Sequence, residues 1–419
     1  MRAIATSQKS VEQVKRPATI LVLLLLIAGI LVFLAIHWRF SWKGWWLEDI
    51  PIFKSAVGEW LAGRSPYSSQ VAPLYYIYPP VFIFVAGGFV RLLGPHVALV
   101  VYLIAHFAAT LALPLVLAKY ILRQPWLTPL MALLLFFVGP LYMGEEALFC
   151  CNVATLIYCT VFIAAVPGVL RNRWGWFYLA VIAVTLTKFT LLPLLLLPVF
   201  AGKKQWVKSI ATAVIVGALY VVQKAEWPSL YAGYLWAVRQ CIVIPVHYGF
   251  GVFGVLAHYV AKFTGRVGLV PYAVLGLLGL GLLVSLFLLR RRMDKVEYPV
   301  NDDVWIGMII CAIFLMNPRL MQYEADIPVF CTVPLLVYAF RVRRPLLCWA
   351  AVYLPALALP LVMANGRMWG AYGTFLMIGA YAMAYRRMWR ESAEAGAEPV
   401  SEPMVQNSKK LAALGESPA

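Results

Sequence analysis

Apolar residues in this chain fall into long blocks, separated by short basic clusters and by two longer polar stretches. The blocks are Ala18–Ile36, Val97–Tyr120, Trp126–Tyr142, Ala147–Val169, Trp176–Phe200, Val207–Val222, Gly268–Leu289, Val304–Met316, Ile327–Phe340, Leu346–Met363 and Gly370–Tyr385. Most are of the length that crosses a bilayer, about 20 residues of helix, and they predict transmembrane helices. Trp176–Phe200 is different. Both its flanks are basic (Arg171 and Arg173; Lys203, Lys204 and Lys208), and Lys188 stands in its middle. Basic flanks mark the cytoplasmic side, so this block predicts a hairpin of two short helices turning near Lys188. Counting the hairpin as two, the pattern predicts about twelve crossings with both termini inside.

The polar stretches have their own pattern. Residues 1–17 are basic, and no small-residue cleavage site follows Ala18–Ile36, so this span is expected to be a retained anchor. The first outer loop runs from Trp38 to Pro95. In it, Ile50, Phe53, Val57, Trp60 and Leu61 share one helical face while Lys54, Ser55, Gly58 and Glu59 face away. That predicts an amphipathic helix on the membrane surface, ended by Gly63. Pro79–Leu93 is apolar but short and interrupted by Gly87 and Gly88, and reads as a second interfacial helix. Residues 224–266 form the second long outer segment, and the Ala/Glu/Ser/Pro-rich tail, residues 391–419, is expected to be disordered.

Composition agrees with an all-α polytopic membrane protein. The chain is 63% hydrophobic and 13% charged, too apolar for a soluble domain of 419 residues. Its net charge of +17 would suggest nucleic acid in a soluble protein. Here the basic residues sit between apolar blocks and write topology, so membrane lipids and phosphate-bearing substrates are expected partners and nucleic acid is not. The seven cysteines lack metal-ligand spacing and read as core residues. No metal site is assigned. Glu145 and Glu146 with Asp49 could hold a cation, but loose carboxylates are a weak metal signal.

Under this topology Asp49, Arg64, Glu145, Glu146, Lys188, Arg239, His247, Arg319 and Glu324 gather at the outer face. Asp49 precedes Ile50-Pro51 and suits a helix N-cap. It also suits a general base that takes a proton from a hydroxyl, with Glu48 as runner-up. A lysine inside an apolar run needs a counter-charge or a phosphate. For Lys188 these are Glu145 or Glu146 on one reading, a lipid phosphate on the other. Arg319 lies on a polar break and suits bidentate phosphate contact or an ion pair with Glu324 or Asp326. Tyr67, Tyr323, Arg239 and His247 complete the candidate substrate-binding set, and the many Tyr and Trp residues of the first loop also suit a membrane-interface belt.

Asp49-Ile-Pro-Ile-Phe53, Gly63-Arg-Ser-Pro-Tyr67 and Tyr78-Pro79-Pro80 before an apolar run resemble glycosyltransferase family 87, the polyprenyl-phosphate-mannose-dependent mannosyltransferases of the GT-C superfamily. Glu145 stands where that family's outer-face motif usually has Gln; Lys188 with Pro193 is similar to its Lys-Pro hairpin, and Asn317-Pro318-Arg319 to a late outer-face motif. The resemblance implies a GT-C-like bundle in a bacterial inner membrane, with the site on the periplasmic side. It implies a sugar, mannose by analogy, carried on polyprenyl phosphate, and a lipid or glycan acceptor. Asp49 would be the base of one inverting displacement, Lys188 or Arg319 would steady the departing phosphate, and no cofactor would be needed. A transporter or flippase of lipid-linked or anionic substrate is the alternative, and an envelope-assembly protein a third.

Overall fold

The computed structural model describes residues 49–68, 70–71, 74–121, 151–243, 249, 251–296, 302–342, 347–348, 351–352 and 366–397. These residues are helical apart from connections and one ribbon of two two-residue strands, β1 (Gln70–Val71) and β2 (Leu74–Tyr75). The predicted spans at Ala18–Ile36 and Trp126–Tyr142, and most of Leu346–Met363, lie outside the described residues.

The first loop holds the two expected helices and, between them, the short ribbon. Helix α1 (Asp49–Leu61) stands where expected but buries Ile52, Ala56 and Val57, so that of the face the periodicity suggests only Val57 is fully buried. Gly63 takes a positive φ of 75° and Arg64 N–H closes back on Glu59 O at 2.8 Å. Glycine adopts that left-handed stop without steric cost. Helix α2 (Pro80–Leu93) packs on α1 because Gly87 leaves room for Trp60: a Cβ there would stand 2.1 Å from Trp60 Cζ3. The Arg91 guanidinium covers the other part of that indole, 4.6 Å from its centroid. Ile52, Ala56, Val57, Tyr67, Tyr76 and Ile83 make a small core of their own.

Among the described residues four helices are long and apolar enough to cross a membrane: α3 (Pro95–Leu115, span to Leu113), α4 (Val153–Arg171), α7 (Trp206–Glu226) and α10 (Val270–Lys295). All four leave large apolar residues exposed, among them Ile104 and Leu111, Ile163, Val214 and Val221, and Leu277 and Leu280. Such faces cost free energy in water and none in lipid. The chain is an α-helical membrane protein. Helix α3 runs into a wider turn of π type over Val116–Ile121.

The block with two basic flanks is a hairpin. Helix α5 (Gly175–Thr185) rises to Lys188; a 3₁₀ segment (Phe189–Leu195) and α6 (Leu196–Ala201) return. Its base is closed by Asn172, whose Oδ1 accepts from Lys203 N–H at 3.0 Å. Helices α8 (Pro228–Val243) and α9 (Val252–Thr264) occupy the second long segment. Helix α11 (Asp302–Leu315) is buried on every side from Val304 to Leu315 and so forms the bundle centre. Around it pack α12 (Gln322–Phe340) and α13 (Gly366–Ala397).

Two boundaries differ from the sequence pattern. Helix α4 opens at Val153 because Asn152 caps it, its Oδ1 accepting from Ala154 N–H at 2.9 Å. Helix α13 continues through Arg390 to Ala397. Glu391 holds it there, accepting from Tyr338 Oη at 2.6 Å and from Arg387 Nε at 2.7 Å.

Candidate active site

Two ends of the bundle can be followed through contacts. At one end the hairpin base meets α11, since Trp305 Nε1 donates to Phe200 O at 3.0 Å. Arg171, Arg173, Lys203, Lys204, Arg341 and Arg387 lie at this end. At the other end, Phe314 of α11 packs on Tyr158 of α4, with ring centroids 5.5 Å apart. The hairpin tip Lys188, the break Asn317–Met321 and the start of α12 belong to this second end, and so does Asp49 through Asn152 at the start of α4. Asp49 and Lys188 therefore share one end of the bundle.

Asp49 is the first residue of α1, where the helix macrodipole favours an anion. Its Oδ2 accepts from Asn152 Nδ2 at 2.5 Å. Asn152 thus caps α4 with its oxygen and holds Asp49 with its nitrogen. The residue before it, Cys151, has a left-handed φ of 54°, a conformation that costs a non-glycine residue about 1–3 kcal/mol. Cys151 O accepts from Tyr102 Oη at 2.5 Å, which fixes the turn that aims Asn152. Burial, with the Asp49 charge adding to it, pushes the Cys151 thiol up to about 11. Phe53, Tyr102 and His106 form an aromatic wall beside the pair. Asp49 itself is half-buried.

Lys188 is held by Glu324, not by the expected Glu145 or Glu146. Glu324 is fully buried. Its Oε1 takes the Lys188 ammonium, and its Oε2 takes Met321 N–H at 3.0 Å with Asn317 Nδ2 at 3.5 Å. This is half of a capping box, the acid at the third helical position reaching back to the cap backbone. Arg319 is half-buried on the same break; its N–H donates to Asn317 Oδ1 at 3.0 Å. Burial raises the Cys241 thiol, with the Arg319 charge and a backbone hydrogen bond to Tyr75 opposing the rise. Gly249 and Gly251 let the neighbouring chain lie on Leu320; a Cβ at Gly249 would come 2.6 Å from Leu320 O.

Other candidate residues stand elsewhere. Arg64 is exposed and held at 2.5 Å by Glu59, which stands about 15 Å along α1 from Asp49 by helical rise. That bond keeps the Glu59 carboxyl below its usual range and raises Arg64. Tyr67 is buried, and its Oη donates to Tyr78 O at 2.8 Å, so it holds the loop together from inside. Burial raises its phenol. Arg239 is on an exposed face of α8. Tyr323 lies in the first turn of α12, and Glu48, Glu145, Glu146 and His247 lie outside the described residues. Among the described residues no three of His, Cys, Asp and Glu come together as a metal site.

Asn152 and Tyr102 are the members of this cluster that sequence reading missed. A signal for Asn152 existed, an Asn directly before an apolar run; none points to Tyr102. No protein-family model matches this chain, and neither does any curated protein or solved structure, so the family resemblance rests on the first-loop and hairpin motifs themselves.

Proposed function

We propose that this protein is an integral-membrane glycosyltransferase using a sugar linked to polyprenyl phosphate, on a GT-C-like bundle of about twelve crossings in a bacterial inner membrane. The observation that carries it is the Asp49–Asn152 bond at the same end of the bundle as the Lys188–Glu324 break. On this reading the site faces the periplasm, opposite the basic end. Asp49 takes the proton of an acceptor hydroxyl. The hydroxyl oxygen then bonds the anomeric carbon as the bond from that carbon to the phosphate oxygen breaks, with its electron pair leaving on the polyprenyl phosphate. Asn152 orients the base. Arg319 meets the charge growing on the phosphate, while Lys188, neutralised by Glu324, braces the break that carries Arg319. Mannose is the sugar the motifs suggest, and the acceptor is a lipid or glycan.

One observation favours the alternative, a transporter of lipid-linked or anionic cargo. The Lys188 turn and the Asn317–Met321 break interrupt helices around a buried ion pair, as transport sites do. Membranes carrying wild type or Asp49→Asn, given radiolabelled polyprenyl-phosphate sugar and candidate acceptors, separate the two. Transfer should fall by about 10²–10⁴-fold in the variant. Undiminished transfer removes Asp49 as the base, and donor crossing vesicles without transfer to any acceptor favours transport.

A further inference from the structure

The Arg-rich end holds a cavity of about 570 Å³ between α10 and α13 that the proposed transfer does not use. Its cations are Arg291, Arg292 and Lys295, its apolar lip is Leu288, and Ser392 and Ala393 make its floor.

Arg292 is the centre. Its guanidinium lies on the Trp389 ring, 4.3 Å from the centroid. Stacking of this kind fixes the plane and leaves the edge N–H groups to donate. Its Nε is buried and has no hydrogen-bond partner among the described residues. Two acids on the same helices are engaged elsewhere: Asp294 pairs with Arg290 at 3.0 Å, and Glu391 with Arg387 and Arg341. Arg292 lines the cavity, and a permanent cation with a donor that no acceptor among the described residues meets calls for an anion.

The approach to the cavity says which anion. Leu277, Leu280, Val284, Phe287 and Leu288 are all exposed on α10. Leu277, Leu280, Val284 and Phe287 recur every three or four residues and, with Leu288 beside Phe287, form one apolar stripe that ends at Arg291 and Lys295. An acyl chain laid along that stripe delivers its headgroup to the three cations, where a free phosphate would have no use for the stripe. We propose that this cavity binds the phosphate of an anionic phospholipid in the leaflet at the Arg-rich end. Basic pockets between transmembrane helices recognise such headgroups by this combination. A second cavity, beside Arg171 and Arg173, has only exposed arginines and no buried donor.

The test uses full-length protein purified in mild detergent, offered equal phosphatidylglycerol and phosphatidylcholine, with retained lipid read by native mass spectrometry. Wild type should keep phosphatidylglycerol in preference. Arg292→Gln removes the central donor and Ala393→Leu fills the floor without touching charge; each should lower retention about fivefold or more, whereas Arg173→Gln should not. Equal retention of the two lipids by wild type, or undiminished retention in both Arg292→Gln and Ala393→Leu, overturns the proposal. Displacement of the lipid by glycerol 3-phosphate at matched concentration would overturn the lipid as the source and leave a soluble phosphate.

Discussion

Asn152 Nδ2 donates to Asp49 Oδ2 at 2.5 Å, joining the first turn of one helix to the cap of another across a sequence separation of 103 residues. The same amide caps α4 through its Oδ1. Those two jobs can be separated. Asn152→Ser keeps a capping oxygen and loses the donor to Asp49; Asn152→Ala loses both. Thermal unfolding should show Asn152→Ala about 1 kcal/mol less stable than Asn152→Ser, while transfer activity should drop alike in both. Wild-type activity in Asn152→Ser would mean that Asp49 needs no support from this side.

Lys188 and Glu324 are a nearly buried ion pair, with side-chain exposures of 15% and 0%. Breaking such a pair strands a charge in low dielectric and costs about 3–5 kcal/mol, whereas an apolar replacement of both partners is close to neutral. Lys188→Met should therefore lower stability sharply and the double variant with Glu324→Met should recover most of it. Activity measured on the recovered double variant then reports the pair's role in the reaction, free of its role in folding.

Gly87 and Gly88 are adjacent in α2 and should respond oppositely. A methyl at Gly87 meets the Trp60 ring, while at Gly88 nothing lies within 4 Å. Gly87→Ala should cost about 1–3 kcal/mol by overpacking and displace the Trp60 indole from Arg91, visible as a change in tryptophan fluorescence. Gly88→Ala should gain up to about 1 kcal/mol from helix propensity alone.

The Cys151 thiol, raised to about 11 against an ordinary value of 9.0, gives a pH prediction. Because the folded state ionises later than the unfolded one, stability from this group is intact below pH 9 and declines from there to pH 11. Peptide-resolved alkylation of Cys151 in the native protein should rise near pH 11. In Asp49→Asn the midpoint should move down, since one of its causes is gone; an unchanged midpoint would show that burial alone sets it.

The arrangement of polar and apolar positions by itself determined the local shapes. It contains the hairpin turning near Lys188, because two basic flanks cannot sit on opposite sides, and the stop at Gly63, because that φ suits glycine. It also contains the short helix over Pro80–Leu93 and the apolar blocks that became spans. Such features depend on neighbours within a few turns. Partnership does not. That Lys188 finds Glu324, that Asp49 finds Asn152, that Arg64 stays with Glu59 and that Tyr67 turns inward were decided by the order and rotation of packed helices. A buried charge accepts any acid the packing brings near it, and hydrophobic periodicity tells which face is buried without telling what it is buried against.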